Sequence, residues 1–285
     1  MQMNTPRTSR TRRPLPLLLL LVCLLGRVPS VFGAPTPVIG PCEPTFVKHR
    51  HHGVRFMLAS TQRSVQTVAA PVSLEWLGHS SFLLTSPDGL RLLTDPNTFY
   101  TLQATPDVVT VSNLHMTHSA ASQVPGTPQV LWGITSEGGW HSIALTLKDV
   151  ALFNVPSYAS RTEPENSPIQ NSIFVFRTGG LCIVHLGNLR HLLTVQQLQR
   201  IGKPDVVLVP ADGGWTLSFD DIVAVIKQLH PLVVIPMHIN VTEQIEAFVQ
   251  YMTGHYPVRR IDGHSLVLSR STLPAATEVV VFKAP

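Results

Sequence analysis

The sequence predicts a mixed α/β sandwich. Three observations predict it: a strand-rich first half, a switch to strand–helix alternation near residue 190, and polar residues gathered where strands end. Val72 to Leu77, Ser81 to Thr85 and Leu90 to Thr94 read as short strands, and Ser86-Pro-Asp-Gly89 forms a hairpin turn between the last two. Val108 to Val111 is a further strand. Gln129 to Ile134, Ile143 to Leu147 and Val150 to Val155 continue the pattern, and Thr178-Gly-Gly180 turns Ile173–Phe176 into Leu181–His185. Thr194 then caps a helix through Ile201, and Val206 to Val209 is a buried strand. Ser218 caps an amphipathic helix through Leu229, Leu232 to Pro236 is the next strand, and a helix spans about Thr242 to Met252. Strands near Val258, Leu266 and Val279 close the chain, and no solenoid repeat is present.

The 285 residues divide into three segments. Residues 1–33 read as a secretory signal: Arg7, Arg10, Arg12 and Arg13 precede a Leu-rich core from Leu15 to Gly26, and Val31 and Gly33 suit a cleavage site before Ala34. That core falls short of the ~20 residues that span a bilayer, so no membrane span is expected after cleavage. The chain is therefore expected to be secreted or periplasmic. Residues 34–68 are rich in Pro and His and read as a poorly ordered leader arm, with Lys48-His-Arg-His-His52 as a solvated tract. Residues 69–285 form the domain.

Five of the 21 basic residues lie in 1–33 with no acidic residue, leaving 16 basic against 17 acidic groups. The remainder has no clustered basic face, so nucleic acid is not an expected partner. A small-molecule substrate or ligand is. Of the cysteines left after cleavage, Cys42 and Cys182, the second sits in an apolar strand, where a buried free thiol is the expectation and a bridge to Cys42 the alternative.

Candidate chemistry follows the strand ends, where α/β folds place ligand sites. His79, Asp95, His115 with His118, His185 with Asn188, and His238 each follow a strand. Five such coincidences favour one shared pocket. The segment Asn113-Leu-His115-Met-Thr117-His118 stands out, because Asn113 and Thr117 occupy places where His and Asp would complete a metal-binding loop.

The ordered set of motifs resembles the metallo-β-lactamase fold superfamily, in the branch similar to ascorbate-6-phosphate lactonase. Trp76-Leu-Gly-His-Ser-Ser-Phe82 with Leu92-Leu-Thr-Asp95-Pro96 resembles its opening hairpin. His185-Leu-Gly-Asn188-Leu-Arg-His191-Leu-Leu-Thr194 resembles the pattern H-L-G-D-L-G-H-x-L-T, and Asp205 to Pro210, Gly213-Gly214 and Val234 to His238 follow in order. The resemblance implies a four-layer αββα sandwich with mixed sheets and a two-metal site at one edge.

Carried over by position, the first metal's His pair falls on Asn113 and His115, and its third ligand near Ala159. The second metal's pair falls on Thr117 and His118, its last ligand on His238, and the bridging carboxylate on Asn188. Three imidazoles survive and both carboxylates are gone. The resemblance then implies at most one weakly held zinc, on His118 and His238 with Asn188, His115 or Asn113, and a bound water as nucleophile. His79 and Asp95 are expected to orient ligands from behind. Thr117 stays beside the site, His185 beneath it, His191 on its rim and Trp215 along its wall. Three functions remain open: a metal-dependent hydrolase of a lactone, ester or phosphodiester, a catalytically inactive pseudoenzyme that binds a small molecule or protein partner, and an inert structural domain. Asn240-Val-Thr242 reads as a helix cap by Asn240 or Thr242 or as a glycosylation sequon.

Overall fold

The computed structural model describes Cys42 and residues 70–283, apart from 100–102, 104 and 163. The signal and most of the leader arm, including His49, His51 and His52, lie outside the described residues.

Two mixed sheets face each other across one apolar core. The first begins with β1 (Val72–Trp76), whose alternating burial reflects one face on the core and one toward solvent. β2 (Phe82–Thr85), β3 (Arg91–Thr94), β4 (Val108–Val111) and β5 (Gln129–Trp132) follow, antiparallel as far as β3 and parallel beyond it. The second sheet starts with the meander β6 (Ala144–Leu147), β7 (Val150–Tyr158), β8 (Ile169–Thr178) and β9 (Leu181–His185). β7 runs three residues past its expected end at Val155. There Pro156 stays in register with Ser172 and Gln197 donates to the Pro156 carbonyl at 2.7 Å.

Parallel strands then alternate with helices: α1 (Val195–Ile201), β10 (Val206–Pro210), α2 (Phe219–Leu229), β11 (Val233–Met237) and α3 (Thr242–Met252). Every residue of β9, β10 and β11 is buried, as expected of parallel strands covered on both faces. The crossovers from β9 to β10 to β11 step in one direction across the sheet, so right-handed connections put α1 and α2 on one face. β12 (Val258–Ile261) and β14 (Glu278–Phe282) finish this sheet, and β13 (Ser265–Leu268) returns to pair with β1.

The α/β sandwich with mixed sheets is thus present, with uneven helical cover. Among the described residues all three α-helices follow strands of the second sheet. The outer face of the first carries a small cluster of Leu83, Leu93, Val109, Val111 and Val124 beside a 3₁₀ turn at Ala121–Gln123. None of the described helices is long and apolar enough to cross a membrane.

Local signals explain the helix starts. Thr194 accepts from the Gln197 amide while the Gln197 side chain accepts from the Thr194 amide. Ser218 accepts from the Asp221 amide. α3 departs from expectation, because neither Asn240 nor Thr242 caps it. The Gln244 side chain instead accepts from the Asn240 amide at 2.8 Å, leaving Asn240 exposed.

Cys182 is not a free thiol. It is bonded to Cys42 across 140 residues, with the two Cα atoms 5.9 Å apart. Cys42 is further held by hydrogen bonds from its amide to the Ile201 carbonyl and from the Lys203 amide to its own carbonyl. Gly202, at φ 76°, makes this possible, since a Cβ there would meet the Cys42 carbonyl oxygen at 2.2 Å.

Candidate metal centre

Strand ends from both sheets meet at one edge. His79 follows β1, Asp95 follows β3 directly, and His118 lies on the loop after β4. From the other sheet come His185 at the end of β9, Asp212 two residues after β10, and His238 directly after β11. His79, Asp95 and His238 all hold left-handed backbone, at φ 50°, 38° and 61°. Non-glycine residues rarely adopt this conformation, and it concentrates at functional sites. The turns are held closed by the His79 carbonyl, which accepts from the Trp76 indole and from the His238 amide, each at 3.0 Å. That second bond links the two sheets.

The result is a cluster of three imidazoles. His79, His118 and His238 each offer a ring nitrogen within 4.8 Å of the others. Their ring centroids lie 4.3 Å apart for His79–His238 and 5.2 Å for the other two pairs. Phe99 closes over His79 at 5.6 Å.

Two carboxylates back the cluster. Asp95 is fully buried, and its Oδ2 lies 2.7 Å from His118 Nδ1 while the Ser112 amide donates to its Oδ1 at 2.7 Å. That bond leaves His118 Nε2 as a buried lone pair without a partner. Asp212 Oδ2 lies 2.8 Å from His238 Nδ1, in contact although out of line with a full hydrogen bond. Asp212 itself is cradled by the amides of Gly214, Trp215 and Thr216 and by the Thr216 hydroxyl.

Burial disfavours the charged form of two of the three rings, His79 and His118. Burial, with the neighbouring His238 and His118, lowers the His79 pKa to about 2. Burial, then His238, takes His118 well below the ordinary value. Asp95 is pushed upward by burial, against opposing pulls from His185 and Ser112. Burial also pushes Asp212 upward, but the contact with His238 and the hydrogen bonds from Thr216 and Gly214 outweigh it and hold the carboxyl low. Buried imidazoles at His79 and His118, facing His238 and with carboxylates behind the cluster, suit a cation better than a proton.

Several expected positions move. His115 does not join His118 and His238; it is exposed, and its Nδ1 turns 2.9 Å onto the Thr117 hydroxyl. His79, expected behind the ligands, takes its place in the cluster. Asn113 is spent on backbone, donating to the Gln170 carbonyl and accepting from the His115 amide. Asn113, His115 and Asn188 instead line a cleft of about 380 Å³ with Ile134, Ile169 and Arg190.

His185 sits beneath, 2.9 Å from the Ser80 carbonyl, and burial lowers its pKa. His191 is not on the rim. It is buried, accepts from the Tyr158 amide at 3.0 Å and contacts the Leu192 carbonyl at 2.7 Å. Trp215 is 80% exposed and lines no part of the cleft. The residue that sequence reasoning missed is Asp212. Its signal was there, an acid just beyond the buried strand Val206–Pro210 and ahead of Gly213-Gly214.

The family model described as the beta-lactamase superfamily domain matches residues 73–238, more than half of the chain. A UPF0173 metal-dependent hydrolase of Methanoregula boonei is 26% identical over 192 residues, covering 61% of this chain and 85% of its own. The corresponding protein of Caldivirga maquilingensis is also 26% identical, over 196 residues, covering 60% and 84%. A Thermotoga maritima structure assigned to the zinc-dependent hydrolases of the metallo-β-lactamase superfamily superposes with a TM-score of 0.59 at 28% identity, covering 74% of this chain and 98% of that one. The architecture, the strand-end cluster and the matched span lead to one conclusion: the chain belongs to the metallo-β-lactamase superfamily.

Proposed function

We propose that this protein is a metal-dependent hydrolase that works with a single zinc ion on a small-molecule lactone, ester or phosphodiester. One observation carries the reading: three imidazoles from three strand ends converge, and the buried ring nitrogens His79 Nδ1 and His118 Nε2 have no partner among the described residues. Such buried polar atoms are costly unless satisfied, and three protein ligands with one open position is the pattern of catalytic zinc. The metal-dependent hydrolase of Methanoregula boonei and the zinc-dependent hydrolase of Thermotoga maritima that the chain resembles support the same chemistry.

When bound, the ion would polarise the scissile oxygen and lower the pKa of water. The chain's own groups do the rest. Asp95 and Asp212 fix the rings of His118 and His238. Phe99 packs its ring against His79, whose own surroundings are buried. His115, at the cleft edge with Nδ1 engaged by Thr117, keeps Nε2 to exchange a proton with the leaving group.

A second reading, binding without turnover, is favoured by the neutral side chains at Thr117 and Asn188, where the resemblance implies carboxylates. The Cys42–Cys182 bridge supports export to an oxidising compartment, the setting expected from residues 1–33.

Metal analysis of the purified protein tests the first reading. About one equivalent of zinc is expected, lost in His118→Ala and His238→Ala, with lactone or ester hydrolysis lost alongside. Metal that stays in both variants would overturn it. Metal bound with no turnover across lactones, esters and phosphodiesters would favour the second.

A further inference from the structure

The cleft next to the three-His cluster carries one cation and no carboxylate. The cation is Arg190, which stands where the pattern H-L-G-D-L-G-H has its second glycine. Arg190 is half-buried and makes no hydrogen bond or ion pair with any described residue. A guanidinium has five donors in a planar fork, and one held in a cleft without a partner is matched to a two-oxygen anion. Its position is close to the cluster, since the charge of Arg190 acts on His118. Asn188 lines the same cleft and adds an uncharged polar group. Ile134 and Ile169 provide apolar walls.

We infer that Arg190 binds an oxyanion of the substrate, a carboxylate or a phosphate, and so turns the scissile bond toward the His79–His118–His238 cluster. The inference rests on the hydrolase reading for its claim that the bound anion belongs to a substrate. The binding itself does not depend on that reading. A fixed cation thereby occupies ground beside Asn113 and His115, where the resemblance implies the first metal, and beside Asn188, where it implies the bridging carboxylate. One charge suits a small molecule with a single anionic group, whereas a nucleic acid would need a row of them.

The test is calorimetric titration of the protein as purified with inorganic phosphate and, separately, with acetate at low ionic strength. Metal content is measured on the same samples. Wild type is expected to show saturable binding of at least one anion. Arg190→Gln should weaken it about tenfold or more with metal content unchanged, as expected for loss of a charge-assisted bidentate contact. Arg190→Lys should fall between, keeping the charge but not the fork. Both variants should keep the fold, because Arg190 has no described partner to lose. The anion that responds to Arg190 identifies the group the substrate carries. Equal binding in wild type and Arg190→Gln, or no saturable binding of either anion, would overturn the inference. Loss of metal in His118→Ala with Arg190-dependent anion binding intact would separate the two readings.

Discussion

The two sides of the site have diverged in opposite ways. On one side, His79 and His118 keep buried ring nitrogens without a described partner, His238 faces them, and Asp95 and Asp212 stand behind His118 and His238. On the other, Asn113 and His115 have been absorbed into local hydrogen bonds with Gln170 and Thr117. On the single-ion reading proposed above, the contrast separates a half of the edge kept for a cation from one given up. Loss of a ligand is tolerated where the replacement can satisfy itself with backbone. A buried ring nitrogen has no such escape, so the side that keeps its orienting carboxylates stays ready for a cation.

The largest effect expected is on the backing carboxylates. Asp95→Asn should lower metal affinity about 10–100-fold, because the His118 ring loses the acceptor that fixes its tautomer. Competition with a chromophoric chelator reads this directly. An equal loss in Asn113→Ala would erase the distinction between the two sides.

The repair experiment is next in size. Asn113→His, Thr117→Asp and Asn188→Asp together should raise bound metal from about one toward two equivalents, since they restore the ligand types that two closely spaced ions need. Elemental analysis showing no gain would mean that the emptied side has lost its geometry as well as its ligands.

A third prediction concerns acid stability. Burial lowers the pKa values of His185 and His191 below the unfolded value of ~6.5, so the unfolded chain takes up protons first as pH falls. The stabilisation from these neutral rings is therefore complete above about pH 6.5 and is lost as pH drops below it, by up to ~1.4 kcal/mol per pH unit for each group. Urea midpoints between pH 7.5 and 5.5 should show that slope. His191→Gln should flatten it, and an unchanged slope in that variant would exclude His191 as a source. The smallest expected effect is that of His115→Ala on metal content, which should be nil within error.

Much of this was legible in the sequence for a simple reason. Strand and helix periods, the Thr194 and Ser218 caps and the hairpin turn at Ser86–Gly89 are local, and local signals survive without knowledge of the fold. The rule that ligands gather at strand ends led to His79, Asp95, His118, His185 and His238. It did not say which of them face one another. His79 enters the cluster through a left-handed backbone at φ 50° and a bond from its carbonyl to the His238 amide, neither of which has a local signature. His115 leaves it because the Thr117 hydroxyl is within reach two residues away. The Cys42–Cys182 bridge needed a 5.9 Å approach of residues 140 apart in sequence. Gln244 displaced the expected caps of α3 because its longer side chain reaches back to the Asn240 amide.

The central claim is that His79, and not His115, completes the imidazole cluster. Zinc X-ray absorption on the metal-loaded protein measures this most directly. The account predicts imidazole scattering from about three rings, falling by one ring in His79→Ala and unchanged in His115→Ala. A spectrum that keeps its full imidazole count in His79→Ala and loses a ring in His115→Ala would contradict it.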